Sequence, residues 1–172
     1  LRAMYKNTFR VPTFSDLYYL RVGNTNLRPE KATEYTLGVT WSGTPFDFTD
    51  FVSFTVDGYY NTVEDKIIAF PSTYVWKMQN YGEVDITGID VTLATAIPLA
   101  EKISMNLSGN YSWQKAIDVT NPDAKNYKHQ LPYTPEHNGN VSATIEIPWV
   151  NVGYTVTLVG KRYYLAQNIP AN

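Results

Sequence analysis

Side chains suited to chemistry are few in these 172 residues. His129 and His137 are the two imidazoles, and because the chain has no cysteine they would have to supply every nitrogen or sulfur ligand of a metal site. They stand eight positions apart in a stretch containing Pro132 and Pro135, with Asp123 and Glu136 nearby, and this spacing fits no zinc or transition-metal pattern. Exposed or hydrogen-bonded histidines are the expectation. Asp118, His129 and Ser142 are the residue types of a hydrolytic triad, yet no nucleophile-elbow or zinc-protease motif frames them. No enzyme activity, metal or cofactor is therefore expected. Aromatic side chains are abundant instead, with 14 Tyr, 7 Phe and 4 Trp. Those that fall between strand-like stretches are Phe14, Tyr18 and Tyr19, then Tyr74, Trp76 and Tyr81, then Tyr127 and Tyr133. Each joins an apolar ring to a donor or to open space, which suits holding a large organic ligand rather than transforming one. Many of them are expected to pack loop against loop. Tyr74 and Trp76 are the preferred ligand-binding pair, because strand packing does not account for side chains in the middle of a loop.

The elements that must carry these residues are read from composition and period. Only 17% of residues are charged and the net charge is -2, with lysines and arginines scattered rather than clustered, so no nucleic-acid partner is expected. The chain is too aromatic for a disordered segment. No run of 18 apolar residues exists for a membrane helix, although a lipid-facing strand needs apolar residues only at alternate positions. The first residues lack the features of an export signal, which is expected to lie outside this sequence.

Alternation with period two runs through the chain. Ile103, Met105, Leu107, Gly109, Tyr111 and Trp113 oppose Ser104, Asn106, Ser108, Asn110 and Ser112, giving one apolar and one polar side. The same pattern predicts seven strands, at about 1–8, 32–41, 50–60, 84–97, 102–113, 140–147 and 154–163. Within 84–97 the apolar parity switches after Gly88, which predicts a β-bulge there. Connections alternate in length: short at 42–46, 98–101 and 148–153, long at 9–29, 61–82 and 114–138. Long external loops alternating with tight turns characterise outer-membrane barrels, and a ten-residue strand tilted near 40° rises about 26 Å, close to their apolar band. Trp41, Tyr60, Trp113 and Trp149 near strand ends fit an interfacial girdle. A soluble antiparallel sandwich, as a carbohydrate-binding module, and a surface-assembly protein remain open on this evidence.

Two linked loop segments are more specific. Phe9, Arg10, Val11, Pro12 and Thr13, continuing through Leu17, Tyr18 and Tyr19, are followed by Gly23, Asn24, Asn26, Leu27, Pro29 and Glu30. In this order they resemble the aromatic-Arg-x-Pro-Thr-x-x-x-Leu-Tyr and Gly-Asn-x-Asn-Leu-x-Pro-Glu segments of TonB-dependent outer-membrane receptors. Gly88, Ile89 and Asp90 are similar to that family's Gly-Val-Glu strand segment, with Asp replacing Glu. The resemblance implies that residues 1–172 are a partial barrel domain, about seven strands from the late-middle part of a 22-strand transmembrane β-barrel, with the plug and C-terminal strands absent. It further implies uptake of a scarce small-molecule chelate, cobalamin or an iron siderophore, across the bacterial outer membrane. The implied partners are the rest of the barrel and its plug, a TonB-type energy-transducing complex and outer-membrane lipid. Arg10, Pro12, Gly23, Asn24, Asn26, Leu27, Pro29, Glu30 and Gly88 are read as structural residues of those motifs. Pro12 and Pro29 hold Val11 and Arg28 extended, and the Gly and Asn residues shape a turn back into the sheet.

Overall fold

A computed structural model describes residues 1–71 and 75–164. They form one seven-stranded antiparallel sheet in chain order: β1 (Arg2–Arg10), β2 (Glu30–Gly43), β3 (Phe51–Pro71), β4 (Trp76–Ala100), β5 (Ile103–Asp118), β6 (His137–Ile147) and β7 (Val150–Val159). A single short helix, α1 (Phe14–Tyr18), lies in the first connection.

The registers turn the alternation of each strand into rows across the sheet. One row reads Val39, Val56, Val91, Tyr111, Gly139 and Leu158; the adjacent row reads Thr40, Thr55, Thr92, Asn110, Asn140 and Thr157. Successive side chains of a strand point to opposite faces, so one face is apolar and the other polar over six strands. The apolar face is uncovered: Leu37, Val141, Val152 and Leu158 are each at least 58% exposed. A sandwich would bury that face under a second sheet, and the described residues contain one sheet only.

On the polar face, Asp57 and Asp90 stand directly opposite, a repulsive pairing. Two neighbours relieve it. Arg2 forms an ion pair with Asp57 across Gly38, and the Ser112 hydroxyl donates to Asp90. Gly88 lies beneath the Tyr59 ring, and a Cβ there would also meet the Trp113 carbonyl oxygen at 2.8 Å.

Three expectations need correction. Pairing runs without a break through Tyr59, Gly88 and Gln114, so Gly88 is not a bulge; the register shift in β4 lies between Pro98 and Ala100, where Pro98 has no N–H to donate. The expected loop at 61–82 is largely strand, with pairing from Asn61 opposite Ile86 to Pro71 opposite Trp76. Its polar residues suggest a loop, yet backbone pairing continues beyond the apolar band, where the outward face no longer has to be apolar. The helix α1 lies unforeseen within the expected 9–29 connection, which β1 shortens to 11–29; β5 likewise shortens the third connection to 119–136.

The long connections share one end of the sheet with the β3–β4 extension. At roughly 3.4 Å per residue and 40° tilt, the 25 residues of β4 rise about 65 Å, far beyond an apolar band of about 25 Å. The core sits in this projection. Val63, Val84, Ala116 and Leu131 are buried together, with Ala32, Tyr81 and Ile86 against them. Val63 and Val84 are cross-strand partners on the parity of the polar face, so the apolar switch in β4 marks a change of surroundings rather than of register.

Candidate functional site

Polar and aromatic side chains collect at the projecting end. The first connection is fixed by a capping box: the Thr13 hydroxyl accepts from the Asp16 N–H at 3.2 Å, and the Asp16 carboxylate accepts from the Thr13 N–H at 2.9 Å. Arg10 donates to that carboxylate at 2.9 Å and lies 3.6 Å from Glu30, its cross-strand partner. Glu30 also accepts from the Ile67 N–H at 3.1 Å. The two loop motifs are thus closed onto each other by one guanidinium, and onto β3 by the Glu30 carboxylate. Burial pushes the Asp16 carboxyl up, but the Thr13 hydrogen bonds and the Arg10 charge together hold it below its ordinary value. Gly23 admits no side chain, since a Cβ would lie 2.6 Å from the Leu17 carbonyl oxygen.

The second motif is stitched to β4. Asn24 donates to the Met78 carbonyl at 3.1 Å and accepts from the Asn26 N–H at 3.0 Å. Asn80 accepts from the Arg28 N–H at 2.8 Å and donates to the Arg28 carbonyl at 2.9 Å, while Arg28 pairs with Asp65. Asn24, Asn26, Arg28, Lys77 and Asn80 line an open polar trough of about 630 Å³.

Beside it, Trp76 packs against Tyr133 with ring centroids 5.6 Å apart. Tyr133, Leu131, Pro132, Ile68 and Lys66 line a mainly apolar cavity of about 240 Å³. Asn126 donates to the Tyr81 hydroxyl at 3.0 Å and also to the buried Asp118 carboxylate. Burial first, with help from Asp118, pushes the Tyr81 hydroxyl up to about 12. Tyr127 stacks under the Lys128 ammonium, 5.4 Å from its ring centre.

The expected aromatic residues therefore divide. Phe14 and Tyr18 form an exposed pair with centroids 4.9 Å apart, and Tyr19 closes α1 while remaining exposed. Trp76 meets Tyr133; Tyr81 is tied into the Asp118 cluster. Tyr74 lies outside the described residues. Lys77, Asn80 and Asn126 were missed, because their roles depend on strand register and not on local spacing.

No catalytic grouping forms around Ser142. It sits opposite Ser108 in mid-sheet and hydrogen-bonds Thr155 at 2.8 Å, whereas Asp118 lies ten positions along β5, roughly 34 Å away. Asp118 and His129 meet only through backbone, and His137 Nδ1 is 2.7 Å from the Tyr111 hydroxyl. Among the described residues no three carboxylate or imidazole groups gather as for a metal.

The profile described as TonB dependent receptor-like, beta-barrel matches residues 1–172. The chain is 32% identical over 85 residues to a vitamin B12 transporter BtuB of Vibrio vulnificus, an alignment covering 48% of this chain and 13% of that protein. It is 31% identical over 93 residues to a vitamin B12 transporter BtuB of Photobacterium profundum, covering 51% of this chain and 14% of that protein. The matched region is thus a small fraction of the length of these relatives.

Proposed function

Because the chain belongs to the TonB-dependent receptor family, as a segment of its outer-membrane β-barrel, we propose that it supplies seven consecutive strands of a 22-strand receptor that imports cobalamin or an iron-siderophore chelate. Outer-membrane transport, not catalysis, is the general activity of this family, and the segment lies in that membrane. The single observation behind the structural half of the reading is the uncovered apolar face across β2 to β7, which suits contact with lipid chains. The names of the two relatives favour cobalamin over a siderophore.

In this reading, residues 1–172 are a partial barrel domain whose external connections form part of the ligand vestibule. Phe14, Tyr18 and Tyr19 on the first connection, Trp76 and Tyr81 on the β3–β4 projection, Tyr127 on the third connection, and Tyr74 provide ring faces and hydroxyls for a chelate. Arg10, Pro12, Gly23, Asn24, Asn26, Leu27, Pro29, Glu30 and Gly88 shape the scaffold. A plug fills the lumen against the polar face, and a TonB-type complex acts on the parent receptor through an N-terminal segment. Replacing both Tyr74 and Trp76 with Ala in the full receptor should weaken binding at least several-fold while leaving its heat resistance unchanged. Uptake of radiolabelled cyanocobalamin and of a ferric siderophore into energised cells identifies the cargo. Accumulation of an oligosaccharide or peptide in place of both would defeat the chelate assignment, and unchanged affinity in the double variant would remove Tyr74 and Trp76 from the site.

A further inference from the structure

The β3–β4 ladder skips one position within the projection. Glu64 pairs with Glu83 and Lys66 with Tyr81 in a single register, but Asp65 and Gly82, which stand opposite each other between them, do not pair. Asp65 has a φ of 54°, in the left-handed region that a residue with a side chain seldom occupies. Its carbonyl accepts from the Asn80 side chain at 2.7 Å. Gly82 has no Cβ, and one there would overlap the Thr120 side chain. Two opposed residues without ladder bonds form an axis across both strands. Beyond that axis pairing resumes, from Lys66 opposite Tyr81 to Pro71 opposite Trp76, so 66–71 and 76–81 make a stiff arm.

What holds the projection changes at this axis. On the membrane side β4 is held on both edges, by β3 on one and by β5 on the other as far as Val84 opposite Asp118. Glu83 is still bonded to the Val119 N–H and to the Thr120 hydroxyl, each at 3.0 Å. On the far side, the edge that β5 has left is taken by the first connection. The Met78 N–H donates to the Val22 carbonyl at 2.9 Å and the Met78 carbonyl accepts from Asn24 at 3.1 Å. The Asn80 side chain bonds both backbone groups of Arg28, and the Arg28 guanidinium pairs with Asp65 at the axis itself. Toward the third connection the arm is loosely packed. A cavity of about 240 Å³ lies between Ile68 and Ala69 on one side and Leu131, Pro132 and Thr134 on the other, and Tyr133, which also lines it, meets Trp76. The Ile67 bond to Glu30 and the Tyr81 bond to Asn126 fall close to the axis, where they exert little leverage on the arm.

We infer that the paired segments 66–71 and 76–81 are a hinged arm, latched to the first connection by Arg28 and Asn80, which closes onto 131–134 when the latch is released. Closure takes the side chains of Ile68, Leu131 and Pro132 out of water, which favours it. The charge-assisted Arg28–Asp65 pair and the Asn80 amide bonds oppose it. Because the arm carries Trp76, the latch decides where that indole stands. The inference rests on the geometry of the projection and not on the cargo assignment.

The test uses the full-length receptor in detergent, free of other cysteines, with every variant first checked for heat-modifiable migration. Ile68→Cys and Pro132→Cys place thiols on the two sides of the cavity, and they can join only when their Cα atoms come within about 7 Å. Loss of free thiol under mild oxidation should be slow in this pair alone and at least tenfold faster once Arg28→Ala and Asn80→Ala are added. Arg28→Lys, which keeps the ion pair, should stay near the slow rate. Where the combined variant does not fold, Arg28→Ala alone should give at least a threefold rise. Equal rates with and without the latch residues overturn the proposal. Hydrogen exchange separates a swinging arm from a fraying one: 66–71 and 76–81 should keep their protection in the latch variant, and a rise to the exchange rate of the connections would show that the ladder melts and that no rigid arm exists.

Discussion

At the scale of single residues, one guanidinium and one carboxylate organise the first connection. Arg10 reaches both Asp16, six positions on, and Glu30, its partner across the β1–β2 ladder. The two motifs were legible in the sequence as neighbours, but their closure through Arg10 was not, since it depends on the register that places Arg10 opposite Glu30. The capping box was equally available in Thr13 and Asp16, yet with Asp in the third helical position in place of Glu it did not stand out as a helix start. Asp16→Ala leaves the Thr13 cap but removes the reciprocal half of the capping box and the Arg10 partner, and should appear as faster proteolysis within 11–29 with barrel migration unchanged. The pH dependence has a definite sign. Because the folded carboxyl titrates below its ordinary value of 3.8, its contribution is complete above that value and is lost as pH falls through the lower folded one. Limited proteolysis between pH 5 and pH 2 should therefore show the parent approaching Asp16→Ala at the acid end. Tyr81 acts in the opposite direction. With its hydroxyl raised from 10.0 to about 12, the Asp118 cluster should hold below pH 10 and loosen as pH rises toward 12, a transition visible as delayed tyrosinate absorbance that Asp118→Asn brings to lower pH.

At the scale of elements, the strand alternation was readable because a membrane imposes the strictest version of it. Seven strands were expected and the described residues form seven, and those through 102–113 and 140–147 fall close to β5 and β6. The misplaced features share one physical cause. Beyond the apolar band the outward face of a strand no longer has to be apolar, so 61–71 and 76–83 lose the alternation while keeping their backbone ladder, and a polar sequence there looks like a loop. Apolar residues in that region turn to the other face and meet one another, which produced the parity switch mistaken for a bulge at Gly88. Val84 has no exposed surface and anchors this small core. Val84→Ala should forfeit part of the roughly 1.5–3 kcal/mol that burying a valine contributes, and should increase hydrogen exchange in 61–71 and 119–136 while the strand segments within the membrane keep their protection. Gly88→Val should act elsewhere, by driving a side chain into the Tyr59 ring and the Trp113 carbonyl, and should lower the yield of folded receptor.

At the scale of the whole molecule, the outward edges of β1 and β7 have no partner strand among the described residues. In lipid each unsatisfied backbone donor or acceptor costs several kcal/mol, so the sheet requires neighbouring strands to close it. The 172-residue segment alone, reconstituted in liposomes, should neither resist protease nor accumulate ligand, whereas the full receptor should do both; a monomeric, protected and transporting segment would reverse that conclusion. The choice between a barrel wall and a soluble sheet was open from alternation alone, because both give it, and it turns on what covers the apolar face. That face can be probed directly, since this segment contributes no cysteine of its own. Single cysteines at Val39, Val91 and Val156 on one face and at Thr40, Thr92 and Thr155 on the other, introduced into the full receptor in liposomes and spin-labelled, report collision with lipid-soluble oxygen and with a water-soluble nickel chelate. Oxygen should dominate at all three valine positions and its advantage should drop at the three threonine positions; equal access of the nickel chelate to both sets would contradict a lipid-facing wall.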